Sequence, residues 1–128
     1  AIGLFPPGFQ VFLNYFDGNL EALTYAYYDE PELFDELIDI YVKNMEDQLD
    51  IIATVKPDSV LTGGSGSITL QSNELFDKMC LPSIKKITKV CKEAGIITGI
   101  HSCGKEEYLI KQCALWKFRL WGTAAFLK

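Results

Sequence analysis

Histidine and cysteine two residues apart, in the turn His101-Ser102-Cys103-Gly104, are the side chains of this sequence best suited to chemistry. At the end of an extended strand, residues i and i+2 point to the same side, so the imidazole and the thiolate can converge on one cation. Zn²⁺ accepts such a mixed nitrogen and sulfur pair at about 2.0–2.3 Å. Two ligands fall short of a site, and Cys113, on the following helical stretch, is poorly placed to be the third. The competing reading is a lone histidine near a buried free cysteine. Position argues for chemistry, because parallel α/β folds gather reactive residues at the carboxyl ends of their strands.

The elements that must present this turn follow from periodicity. Residues 1–8 carry two prolines and two glycines and read as a loop. Residues 9–16 are apolar and aromatic, a short helix or a strand, and Leu20–Tyr28 reads as a short helix. Asp29-Glu30-Pro31 opens a helix, with acids at the positive end of its dipole and proline in its first turn. Apolar residues at Phe34, Leu37, Ile38, Tyr41, Met45, Leu49 and Ile52 predict one helix from there to about Val55. Ser59-Val60-Leu61 is a short buried strand, and Thr62 to Ser67 is a glycine-rich loop after it. That loop could offer amides to an anion, but it lacks the lysine and the spacing of a nucleotide-binding signature. Ser72 caps the next helix, Pro82 divides it, and Gly95 ends it. Ile96–Ile100 is a second short strand that delivers His101, and Glu106–Ala114 is again helical. This order of strand, helix and strand is the rhythm of a parallel sheet or barrel.

The remaining candidates are weaker. Phe12, Tyr15, Phe16, Tyr25, Tyr27 and Tyr28 either line a pocket for a large flat ligand or pack helices together. Cys80 and Cys91 fall on helical faces and read as small core residues. Composition narrows the classes. Lys and Arg number 12 against 17 Asp and Glu, a net charge of −5, which argues against a nucleic-acid partner. No apolar run approaches the roughly 20 residues that span a bilayer, so no membrane partner is expected. Four cysteines without a disulfide-scaffold pattern predict reduced thiols and a cytoplasmic location. The sequence begins at Ala1 with no signal-peptide pattern.

Taken in order, Tyr28-Asp29-Glu30-Pro31-Glu32, Lys56-Pro57-Asp58 with its strand and glycine loop, Ser72-Asn73-Glu74-Leu75-Phe76 leading to Leu81-Pro82, and Ile100-His101-Ser102-Cys103-Gly104 resemble the uroporphyrinogen decarboxylase family. The resemblance spans about residues 9–114. It is to the branch that contains the methylcobalamin:coenzyme M and related corrinoid methyltransferases. It implies an α/β fold, the (β/α)₈ TIM barrel. That fold needs about 250 residues, so the expectation for residues 1–114 is a central slice of the barrel, with two parallel strands and flanking helices. Such a slice leaves sheet edges and helix faces to be completed elsewhere. The resemblance further implies Zn²⁺ held by His101, Cys103 and a third protein ligand outside this chain. Methylcobalamin, free or on a corrinoid protein, would be the methyl donor and a small thiol the acceptor. Ser65 or Ser67 would occupy the loop facing the barrel mouth, and Tyr15 would stand beside the substrate. The decarboxylase branch lacks the His-x-Cys pair, which favours methyl transfer. The alternatives are uroporphyrinogen decarboxylase itself, a cofactor-free enzyme of porphyrin biosynthesis, or a truncated non-catalytic remnant.

Residues 115–128 depart from this pattern. They hold both tryptophans and the only arginine, and Lys117, Arg119 and Lys128 give them a charge of +3 against −8 for residues 1–114. They read as a separate tail of uncertain origin: a divergent end, a lost reading frame, or an amphipathic terminal helix.

Overall fold

The computed structural model describes residues 2–3, 8–64, 70–102 and 107–116. Helix α1 (Gly8–Tyr15) buries Phe9, Phe12 and Leu13. Asn19 then caps α2 (Leu20–Asp29), its side-chain oxygen accepting from the Ala22 amide at 3.0 Å. Pro31 opens α3 (Pro31–Asn44), as the sequence predicts. The expected single helix to Val55 is in fact two, α3 and α4 (Glu46–Val55), joined at the buried Met45. Strand β2 (Ser59–Gly64) follows, then a three-residue helical turn α5 (Asn73–Leu75), capped by Ser72 at 3.2 Å. A π-helical turn, Phe76–Cys80, connects it to α6 (Leu81–Glu93), which starts at Pro82's expected break. Gly95, at φ +76°, ends α6, and the Ile96 amide reaches back to the Cys91 carbonyl at 2.7 Å. Strand β3 (Ile97–Ser102) and α7 (Glu107–Trp116) complete the order. Helix α7 runs across the expected boundary at residue 114.

Among the described residues the sheet is parallel throughout and has three strands rather than two. Ile2–Gly3, expected as loop, forms β1 and pairs with Val60 and Leu61. The spatial order β1-β2-β3 is the chain order, with each crossover made of helices. This is a singly wound α/β arrangement, in which strands add successively on one side. Alternation in β2 and β3 sorts the side chains. Val60, Thr62, Thr98, Ile100 and Ser102 are buried, and α6 packs against both strands. Leu61 and Ile97, on the opposite face, are 38% and 41% exposed. Of Ser59-Val60-Leu61, expected as a short buried strand, Val60 is buried while Leu61 is partly exposed.

Two core regions sit between sheet and helices. In one, Phe9, Phe76, Met79, Ile84 and Ile100 pack with Leu109 of α7. In the other, Leu49, Val60, Ile87 and Cys91 join α4 and α6 to β2. The Cys80 thiol is fully buried and accepts hydrogen bonds from the Phe9 amide and from Gln71 Nε2 at 3.2 Å. The Phe9 amide is one of the N-terminal donors of α1 that no helical carbonyl can satisfy, so the sulfur caps α1 from another element. Among the described residues, no helix is long and apolar enough to cross a membrane.

Candidate functional site

Strand β3 carries His101 one residue before its carboxyl end. Its neighbours in sequence, Ile100 and Ser102, face the helices, so His101 stands on the opposite face of the sheet, half-buried beside the partly exposed Leu61. The residue paired with it in β2 is Gly63. That pairing explains the glycine. Gly63 has φ +110°, and a Cβ built there would run into the His101 carbonyl oxygen and stand 2.9 Å from its carbonyl carbon and nitrogen. Only a residue without a side chain lets the two backbones approach this closely. Gly63 and Gly64 therefore belong to the strand, where the sequence reading placed a loop, and Gly63 fixes where the His101 backbone lies.

Behind His101, on the helix side, Thr98 hydrogen-bonds the Cys91 thiol of α6 and ties the strand to that helix. Ser102 is 3% exposed, and its hydroxyl has no hydrogen-bond partner among the described residues. An orphaned buried hydroxyl is unusual enough to mark a position. Neither Ser102, the variable residue of His-x-Cys, nor Gly63, within a glycine-rich stretch, stands out by residue type alone. Strand alternation around His101 and the cost of glycine inside a strand were the signals available for both.

The other predicted site residues lie apart. Cys103, Ser65 and Ser67 fall outside the described residues. Tyr15 ends α1 at 80% exposure and lines an open groove of about 680 Å³ between α1, α2 and α3. His101 is not part of that groove, whose walls are helical. The aromatic cluster divides between the two readings: Phe12 and Tyr27 are buried, and Phe12 meets Phe34 edge to face at 5.9 Å, while Tyr25 and Tyr28 are exposed.

The donor chemistry is selective. Burial pushes the Cys80 thiol up to about 12, and burial also raises the Cys91 thiol. Both remain protonated core groups at neutral pH, poor as nucleophiles and as metal ligands. Among the described residues, no three His, Cys, Asp or Glu side chains converge as a metal-binding group. His101 is the described member of the expected ligand pair. It stands half-buried near a strand end, on the sheet face opposite the buried Ile100 and Ser102. Compared with known proteins, no family model, curated protein or solved structure matches the chain.

Proposed function

We propose that the chain carries the zinc-binding strand end of a (β/α)₈ barrel methyltransferase, one that moves a methyl group from a corrinoid to a small thiol. The observation that supports this reading is the placement of His101. It lies near the carboxyl end of a parallel strand, in a β1-β2-β3 order that follows the chain, on the sheet face opposite the buried Thr98, Ile100 and Ser102. In barrels that end of the strands is where substrate is handled. His101 and Cys103 would hold Zn²⁺ together with a third protein ligand. The bound ion would lower the pKa of a coordinated substrate thiol, so that the thiolate is available at neutral pH. Gly63 keeps the histidine backbone at a fixed height above β2, and Thr98 anchors the same strand to α6. Histidine must be neutral and cysteine ionised to ligate, so affinity falls as pH is lowered.

The test is a Co²⁺ titration of the full chain, followed by thiolate-to-cobalt absorption, and zinc content by atomic absorption. The expected outcome is binding at one equivalent and of modest affinity. It should be lost in His101→Ala and in Cys103→Ser, while the far-ultraviolet dichroism of both variants stays unchanged. Cys80→Ala and Cys113→Ser should keep the signal. Retention of the full signal in both site variants would overturn the zinc reading. Release of carbon dioxide from a porphyrinogen carboxylate by the metal-free chain would instead favour the decarboxylase.

A further inference from the structure

The groove between α1, α2 and α3 is independent of the strand end. Its walls include Val11, Tyr15, Phe16, Leu33, Leu37 and Ile40. Four of these are well exposed for their type: Tyr15 at 80%, Leu33 at 51%, Ile40 at 48% and Leu37 at 37%. Helix α3 explains the pattern. Phe34 is buried edge to face against Phe12 of α1, and Ile38 is buried in the same core region, while Leu33, Leu37 and Ile40 form a second apolar stripe turned outward. Contiguous exposed apolar surface of this kind marks an interaction site. The groove volume, about 680 Å³, accommodates several large side chains. Its charged lining is acidic only, Asp29 and Glu30 at the junction of α2 and α3. The Glu30 side chain makes no capping bond to α3.

One segment of this chain has the complementary chemistry. Residues 117–128 combine Phe118, Leu120, Trp121, Phe126 and Leu127 with Lys117, Arg119 and Lys128 and contain no acid. The rest of the chain is strongly acidic. Reach is not limiting: fully extended, these residues span roughly 40 Å beyond the end of α7, against a radius of gyration of about 14 Å for a chain of this size. We infer that the groove between α1 and α3 is the docking site of the chain's own basic aromatic tail, residues 117–128. The apolar side chains would fill the groove, and Lys117 or Arg119 would meet Asp29 and Glu30 at its rim. Being intramolecular, such docking works at a high effective concentration and needs little intrinsic affinity.

The two tryptophans make the proposal directly readable, since both lie at 116 and 121. In a Trp116→Phe background the full chain reports Trp121 alone. The expected result is emission blue-shifted from that of the urea-unfolded chain and shielded from iodide and acrylamide, independent of protein concentration. Ile40→Asp and Leu37→Asp, at positions already partly exposed, should each return the emission to the unfolded value without loss of helix dichroism. Glu30→Lys should weaken docking and Arg119→Glu likewise, and the two together should restore it. Solvent-like Trp121 emission in the parent chain would overturn the proposal. So would emission unchanged by both groove substitutions, or a shift that grows with concentration, which would mean that a second copy supplies the tail.

Discussion

Replacing Gly63 by alanine tests the junction of sheet and candidate site, because two separate costs meet there. The first is conformational: at φ +110° an L-residue is strained by about 1–2 kcal/mol. The second is steric. The new Cβ meets the backbone of His101, its carbonyl oxygen and, at 2.9 Å, its carbonyl carbon and nitrogen. Backbone cannot rotate away as a side chain tip can, so β2 and β3 must separate locally, at a cost of about 1–3 kcal/mol by analogy with overpacking. The expected loss is therefore on the order of 3 kcal/mol. Gly95→Ala supplies the reference. It too has positive φ, +76°, but a Cβ there meets nothing within 4 Å, so it should cost only about 1 kcal/mol. For a chain of this length roughly 3–5 °C is lost per kcal/mol. Thermal and urea transitions followed at the helix band should place Gly63→Ala well below Gly95→Ala. Equal losses for the two would refute the reasoning, since the contact with His101 would then contribute nothing.

Three further outcomes follow from the same packing. Cys80 is shifted by burial from an ordinary 9.0 to about 12; it stays protonated in the fold while the unfolded thiol ionises, so stability is unaffected below about pH 9 and declines as pH rises toward 12, by at most about 1.4 kcal/mol per unit. Urea midpoints across that range should fall less steeply in Cys80→Ala, although Tyr41, raised by burial to about 12, keeps part of the slope. Ile84 of α6, 1% exposed in the core it shares with the helices of the N-terminal half, should cost about 2–5 kcal/mol as Ile84→Ala, read from the urea midpoint. Lys86 donates to Glu46 at 2.6 Å and holds that carboxyl below its usual range, first through the hydrogen bond and then through its charge; Lys86→Ala should therefore weaken the chain slightly at neutral pH, with the difference vanishing in acid, where Glu46 is protonated, and in high salt.

The longer helices were legible because each repeats its apolar positions toward the core, whereas the short apolar and aromatic α1 fitted a helix or a strand equally. The same regularity concealed the break at Met45. Tyr41, Met45 and Leu49 keep helical spacing across it, since α3 and α4 both turn their apolar residues inward, and a one-residue interruption barely disturbs a pattern averaged over turns. Strand β1 was hidden for a different reason. Ile2–Gly3 has two prolines and a glycine close after it, and its strand character comes from Val60 and Leu61, far along the chain. Local propensity does not carry that pairing. At the candidate site, residue types announced His101, but the role of Gly63 depends on which strand lies beside it, a fact of register rather than of motif. Tyr15 and His101, linked by family resemblance, occupy a helical groove and a sheet face respectively.

The unequal pairing of the three strands bears on the order in which the chain assembles and comes apart. Strand β2 meets β3 along six residues, from Ser59–Ile97 to Gly64–Ser102, closing only the α5–α6 segment, whereas β1 holds two residues of β2 across the whole of α1 to α4. A contact that closes a longer loop and fixes fewer bonds forms later and opens sooner. The unit β2–α6–β3 is thus the candidate nucleus, and Ile2–Gly3 the seam that frays. Amide exchange would register this as slow protons at Thr62 and Ile100 and fast ones at Gly3, with opening free energies that separate the two regions before global unfolding begins.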